Sequence, residues 1–430
     1  MSVTLPRSPI SSLGLFIWSL TALFFLYEFF LRTFVGSLAH QIIPDLGLSA
    51  ERFALIGSAY YLTQGLMQVP VGLLTDKFGV KVILVFACLV CAAATFLFAY
   101  SAGFMSAFVS RALMGFGSSF AFVCLLVVAA AWFPRRFFGF FVGLSQFIGT
   151  MGPLLAAGPL IAFMSEANLS WRSTLEIVGI AGVFLAILML LFVKNKGRDP
   201  EDKYVVLKPS PELSLRLSQL LKNKQAWSVA AYSATVYASM ALLGAIWGTE
   251  YLQVRGLSQS SAGNIISLSW LGYAAACPIL GGLSDIAKRR KPILILCALL
   301  ALFSTLGIIF IPTEHNWVYG LLFFSLGVAA AGQSLGFATI AEHVSPDSRA
   351  SALGLNNGAI MLFSAMIPPI TGYFINRNVG NEFGQFSVSD FTTGFMIMPI
   401  LNLIALIVAW LFIDETFCKP QKEMIVLVKE

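Results

Sequence analysis

Gly72-Leu73-Leu74-Thr75-Asp76-Lys77-Phe78-Gly79-Val80-Lys81 is a short charged stretch set between two long apolar runs, residues 53–71 before it and 82–110 after it. Each run holds about the 20 residues needed to cross a hydrocarbon layer of about 30 Å, the second with residues to spare, so the charged stretch reads as a polar hinge joining two membrane spans. Its glycines let the chain turn tightly and let helices approach closely, while Asp76, Lys77 and Lys81 can form an ion-pair cluster at the membrane surface.

The same alternation runs through the chain. Its 430 residues are 58% hydrophobic and 11% charged, with a mean hydropathy of +0.83, where soluble domains run near a quarter charged. That describes an all-α integral membrane protein, because the apolar runs fit helices and not the short alternating strands of a barrel. Twelve transmembrane helices are predicted, near 13–42, 53–75, 80–100, 104–132, 137–164, 173–193, 226–252, 261–284, 292–311, 317–343, 350–376 and 392–413. The net charge of +6 does not make a nucleic-acid face, since the basic residues collect in alternate loops. Of 27 Lys and Arg, Arg52, Arg172, Arg255 and Arg377 fall on one side and Arg32 and Arg111 within spans. The rest fall on the other side, which the positive-inside rule makes cytoplasmic along with both termini. The first apolar run follows Arg7 as a signal peptide would, but it outlasts a signal core and carries Glu28 and Arg32; it reads as a retained span.

The six cysteines suggest no disulfide framework, and Cys88 with Cys91 lacks accompanying ligands, so no metal and no cofactor is expected. No nucleotide-binding or hydrolase motif is present, and His40, His315 and His343 all lie near span ends, so an enzyme is not expected.

Residues 194–225 form one long polar connection with Pro200, Pro209 and Pro211. They divide the chain into a six-helix bundle over 1–193, a cytoplasmic linker, and a second six-helix bundle with a short tail over 226–430. A weak internal repeat supports the division. Gly281-Gly282-Leu283-Ser284-Asp285, followed by Lys288, Arg289, Arg290 and Lys291, echoes the opening stretch, and Arg135 and Arg136 before Gly143-Leu144-Ser145-Gln146 are echoed by Asp347 and Arg349 before Gly354-Leu355-Asn356-Asn357. Duplicated halves related by an axis along the membrane normal follow.

The order Gly72-x-x-x-Asp76-Lys77-x-Gly79-x-Lys81 resembles the loop between helices 2 and 3 of the major facilitator superfamily, and Arg111-x-x-x-Gly115-x-Gly117 resembles a helix 4 pattern common there. Glu342 and Arg349 have the spacing seen at the cytoplasmic ends of helices 10 and 11 in sugar-porter-like members; Ala129 stands where the first-half acid would be. The resemblance covers essentially the whole chain and implies the major facilitator fold, two pseudo-symmetric six-helix bundles. It also implies that Asp76 with Arg135 or Arg136, and Asp285 with Arg349, latch the halves when the cavity opens outward. Anchoring loops to water and headgroups is the competing reading of these charges.

Helix 1 carries Glu28 and Arg32 four residues apart, hence on one face and near mid-span. A charge at bilayer depth costs at least about 2.5–3.5 kcal/mol, so such residues face a partner or a wet cavity. A solute competing for Arg32 would free Glu28 to take a proton; the alternative is a permanent structural pair. The Tyr27-x-x-x-Leu31-Arg32 neighbourhood is similar to the organophosphate/phosphate antiporter branch, whose helix 1 arginine binds phosphoryl groups. Those carriers have a second arginine in helix 7, where this chain offers Ala241, so a carboxylate-bearing or zwitterionic solute is favoured. The helix 1 to 2 region also resembles the sugar-phosphate-permease-like group, including phagosomal nutrient transporters. Tyr60, Gln64, Gln146, Tyr237, Gln333, Asn356 and Asn357 are candidate cavity-lining residues, because amides and hydroxyls at depth need partners. Arg111 either touches solute or caps a neighbouring carbonyl.

The expectation is therefore a monomeric inner-membrane secondary carrier that works by alternating access and moves an amino acid or organic acid with protons. Its partners are the bilayer, the solute and protons. An exporter of a drug or metallophore, and a receptor of the same fold without turnover, stay open.

Overall fold

The computed structural model describes residues 11–133, 135–194, 220–311, 315–345, 348–378 and 386–418; of Gly72, Asp76, Arg135 and Arg136 only the helical backbone is described. In a hydrocarbon layer every backbone N–H and C=O must be paired within its own segment, which selects the helix. Among the described residues there is no strand. The chain before the linker forms α1 (Ser12–Ser37), α2 (Ala39–Asp45), α3 (Ala50–Leu66), α4 (Gln68–Phe78), α5 (Val80–Ala99), α6 (Phe104–Trp132), α7 (Arg135–Leu155), α8 (Gly158–Glu166) and α9 (Trp171–Phe192). The chain after it begins with α10 (Lys224–Leu242), a π turn (Leu243–Trp247), α11 (Gly248–Val254), α12 (Gln259–Ala287) and α13 (Lys291–Phe310). It continues with α14 (Asn316–Ala330), α15 (Gly332–Glu342), α16 (Arg349–Asn378), α17 (Val388–Phe395) and α18 (Ile397–Ile407).

Among the described residues ten helical stretches are long and apolar enough to cross a membrane, and α7 with α8, bent by 47°, makes an eleventh. The span expected over 53–75 is α3 followed by α4, interrupted at Met67. Its break has a local cause, because Pro70 has no N–H to return to the carbonyl of Leu66. The helix expected over 137–164 is likewise divided; Pro159 sits in the first turn of α8, where no N–H is required. The first helix stops at Ser37 instead of 42, and α2 follows as a separate short helix carrying His40. The hinge Gly79 has φ +78°, the left-handed region that favours glycine, and it closes α4 and opens α5.

The two parts of the chain meet along α3 with α16, along α7 and α8 with α12, and where α1 crosses the π turn and α11. These contacts are close at the end bearing His40. A Cβ on Gly36 would stand 2.5 Å from the Ala245 carbonyl oxygen, and one on Gly372 2.9 Å from that of Ala50. Gly158 donates its backbone N–H to Ser267 Oγ at 2.9 Å, and that hydroxyl donates to the Leu154 carbonyl at 3.1 Å. His40 Nδ1 lies 3.6 Å from Glu250 Oε1 across the same seam.

α2 packs on α1 and α11. The last turn of α1 brings no titratable group to His40, and Asp45 of α2 is held by Arg172 and Trp171. Arg255, at the end of α11, is held by Tyr251 and the Ile309 carbonyl. Glu250 therefore dominates, and its carboxylate beside the imidazole holds His40 above the ordinary histidine value of 6.5 against the opposing effect of burial. The bonus to this closed seam is complete below that ordinary value and is lost as pH rises through the elevated one. His40 is 61% exposed, so the contribution is at most about 1 kcal/mol. Hydrogen exchange of residues 33–48, corrected for intrinsic rate and compared at about pH 5.5 and about pH 8, is expected to show greater protection at the lower pH. His40→Gln abolishes that difference; a difference unchanged in the variant refutes the assignment.

Candidate functional site

The helical spacing of α1 puts Glu28 and Arg32 on one face, and the fold turns that face inward: they are 1% and 5% exposed, so neither points at lipid. Arg32 Nη2 donates to both carboxylate oxygens of Glu28 at 3.2 Å. The Tyr60 hydroxyl of α3 donates to Glu28 Oε2 at 2.6 Å. The Arg32 guanidinium lies 3.9 Å from the centroid of the Phe29 ring, and its Nε is buried without a partner. From the other part of the chain, Tyr237 of α10 lies near Arg32. The acid–base pair therefore sits where the two parts of the chain face each other.

Arg111 of α6 is fully buried. It donates to the carbonyls of Leu31 and Arg32, and its guanidinium stacks 4.8 Å from the Tyr60 ring centroid. Of the two roles left open by the sequence, the structure gives it the capping one: both terminal nitrogens are committed to α1 backbone. The glycines after it explain the spacing. A Cβ on Gly115 would collide with the Tyr60 carbonyl, and one on Gly117 would stand 2.7 Å from the Ala87 carbonyl oxygen, so α6 approaches α3 and α5 only because these positions are bare.

A second polar group continues the path beyond Tyr237. The rings of Tyr237 and Tyr273 are 6.1 Å apart, Gln333 Nε2 donates to the Tyr273 hydroxyl, and that hydroxyl is 3.3 Å from Ser334 Oγ. Gln333 Oε1 and Gln64 Oε1 are buried without partners, as are both amide atoms of Asn356 and the Tyr61 hydroxyl. Asn357 does not share this vacancy; its amide donates to Gln68 Oε1 at 2.7 Å across the α3/α4–α16 seam. Sequence reasoning passed over Gln68, although its place one helical turn after Gln64 was the available signal. Gln146 is half-buried on α7 and makes no side-chain hydrogen bond to this cluster among the described residues.

The charged loops differ from expectation. The basic residue that organises the second-half cluster is Arg290, not Arg289: it pairs with Asp285 and with Glu342, each at 2.8 Å. Arg289 instead lies over the Phe417 ring. Thr416 donates to Glu342 at 2.6 Å, and Glu415 accepts the backbone N–H groups of Arg290 and Lys291. Arg349 makes no ion pair with Asp285 or Glu342, and its Nε is buried without a partner. The expected pairing of Asp285 with Arg349 is therefore not formed here, because Arg290 occupies Asp285. Asp347 lies outside the described residues, and the pairing of Asp76 with Arg135 or Arg136 concerns side chains outside them; Lys77 lies over the Phe78 ring. Cys88 donates to the Gly182 carbonyl and Cys91 sits 3.6 Å from Ser118 Oγ, which is helix packing.

The sequence profile of the Major Facilitator Superfamily matches residues 17–334 and 229–425. The chain is 23% identical over 392 residues to the hexuronate transporter of Bacillus subtilis (strain 168), covering 87% of this chain and 90% of that protein. It is 27% identical over 417 residues to a probable galactarate/D-glucarate transporter of the same organism, covering 86% and 85%. With the probable L-galactonate transporter of Escherichia coli (strain K12) it shares 23% over 363 residues, covering 78% and 77%. Among solved structures, an inward-facing bacterial homolog of the human lysosomal transporter Spinster superposes with a TM-score of 0.74 at 17% identity, covering 95% of this chain and 97% of that one. A D-xylose-proton symporter superposes with a TM-score of 0.73 at 17% identity, covering 94% and 98%.

Tyr60→Phe removes the hydroxyl from Glu28 while keeping the ring under Arg111. A hydrogen bond to a charged group contributes about 1.5–3 kcal/mol, so the variant is expected to unfold at a lower temperature than the native protein in the same detergent. Arg111→Ala leaves two α1 carbonyls with lost partners and is expected to cost more. An unfolding midpoint for Tyr60→Phe equal to the native one would remove this hydrogen bond from the account.

Proposed function

The chain belongs to the Major Facilitator Superfamily, a family of membrane transporters, and from that premise we propose that it carries a small polyhydroxylated organic acid by alternating access with a proton on Glu28. The solute's carboxylate takes Arg32. The observation that supports this reading is a buried Arg32 guanidinium with an unpartnered nitrogen, together with buried amide atoms without partners on Gln64, Gln333 and Asn356. A guanidinium recognises a carboxylate through parallel hydrogen bonds, and an amide that both donates and accepts is suited to hydroxyl groups. The relatives named as transporters of hexuronate, galactarate or D-glucarate, and L-galactonate are in keeping with such a solute. Of the amino acid and organic acid classes expected from the sequence, these vacancies favour the second.

Coupling follows from electrostatics. Glu28 and Arg32 neutralise each other while the site is empty. When a carboxylate displaces Glu28 from the guanidinium, a bare carboxylate would be left buried at that depth, which costs far more than binding a proton. Tyr60 holds Glu28 in place during the exchange, and Arg111 fixes the turn of α1 on which Arg32 stands. The cell inner membrane, with both termini in the cytoplasm, is the compartment this reading implies.

Proteoliposomes loaded under an inward proton gradient are expected to accumulate D-glucuronate. Glu28→Gln is expected to abolish accumulation against the gradient while exchange of D-glucuronate across the membrane persists, and Arg32→Ala to weaken D-glucuronate binding on the order of tenfold or more. Accumulation undiminished in Glu28→Gln removes that residue from coupling, and undiminished binding in Arg32→Ala removes the carboxylate contact.

A further inference from the structure

The two ends of the path from Arg32 to Gln333 differ in charge. Arg32 and Arg111 are the cations within the apolar runs of the sequence, and both stand in its first half. Arg111 has spent its terminal nitrogens on the carbonyls of Leu31 and Arg32, so one guanidinium remains for a solute. From Arg32 the contacts pass through Tyr237 and Tyr273 to Gln333, and everything beyond Arg32 on that path is neutral. Gln333 is 8% exposed with Oε1 unpartnered, and Asn356 is fully buried with neither amide atom satisfied.

We infer that the carrier selects sugar monoacids over sugar diacids, holding the single carboxylate at Arg32 and the uncharged end of the solute on Gln333 and Tyr273. This rests on the polyhydroxy-acid reading above and narrows it, since the curated relatives divide between transporters named for monoacids and for diacids. The physical reason is length and desolvation. In a six-carbon diacid the second carboxylate stands roughly 6 Å from the first, from five carbon–carbon bonds of ordinary length, and a solute seated at Arg32 would bring it among the neutral groups of the second half. A carboxylate buried there without a cation keeps its desolvation penalty unrelieved, whereas the hydroxyl or carbonyl end of a monoacid supplies the donor and acceptor that the amide atoms lack. Discrimination of this kind is strong because it leaves a charge unpaired instead of merely losing a methylene contact.

Calorimetric titration of the full-length protein in lipid nanodiscs tests this with three probes at one pH: D-glucuronate, D-glucarate and D-glucose. D-glucuronate is expected to bind at least about tenfold more tightly than D-glucarate, the order of one unpaired buried group, and D-glucose not to register. D-glucarate binding as tightly as D-glucuronate overturns the selectivity while leaving the acid reading intact. D-glucose binding as tightly as D-glucuronate, or no binding by any of the three, overturns the acid reading itself. Gln333→Lys places a cation at the far end and is expected to reverse or erase the preference for D-glucuronate. A folded Gln333→Lys protein with the native preference overturns the placement of the solute's second end, and where that variant does not fold, the native titration decides alone.

Discussion

A carboxylate and a guanidinium share one face of the first membrane helix, and neither could stay charged at that depth without the other. Their mutual attraction offsets the cost of taking two ions out of water only because further groups complete the arrangement. Tyr60 donates to the carboxylate, Phe29 and Tyr60 present ring faces to the guanidinium, and Arg111 ties down the backbone beneath it. The arrangement is nonetheless unfinished. Arg32 keeps an unpartnered nitrogen, and amide atoms further along the seam are also without partners. An ion pair that served structure alone would be expected to be saturated; one that must yield to a solute has reason not to be.

Close approach of helices makes the site possible. Where Gly115 meets Tyr60, where Gly152 meets the backbone of Leu26, and where Gly36 meets Ala245, a side chain of any size would push the helices apart. The first two contacts belong to one half and hold α1, α3, α6 and α7 around Glu28. The third belongs to the seam between halves, together with the His40–Glu250 pair and the Gly158–Ser267 hydrogen bond. Within a half such packing keeps the helices rigid; the seam between halves is as extensive, running along α3 with α16 and along α7 and α8 with α12.

Much of this could be read beforehand, and the reasons are local. Hydropathy set the spans because backbone groups in lipid have no other partners. The i, i+4 spacing of Glu28 and Arg32 predicted their pairing, and the buried polar tyrosines and amides were picked out because such groups at depth demand hydrogen bonds. What failed were choices among equivalent residues in one loop: Arg289 and Arg290 are neighbours of identical chemistry, and only the path of the chain around Lys288, φ +51°, decides which reaches Glu342. Gln146 and Asn357 were grouped with Gln333 by residue type, yet one is half-exposed and another is satisfied across the seam by Gln68.

By itself the sequence determined that this is a helical membrane protein with duplicated halves, since those properties depend on composition, length and period, which are one-dimensional; that it is a carrier was read from the resemblance of its loop motifs. It also determined that the first half holds the site's only deep cations. Which partner each polar group meets was decided by the tertiary structure alone: Arg111 on α1 carbonyls, Tyr237 on Arg32, His40 on Glu250. Those contacts join residues far apart in the chain, and their geometry depends on how closely bare glycine faces let the helices pack, a quantity no local pattern contains.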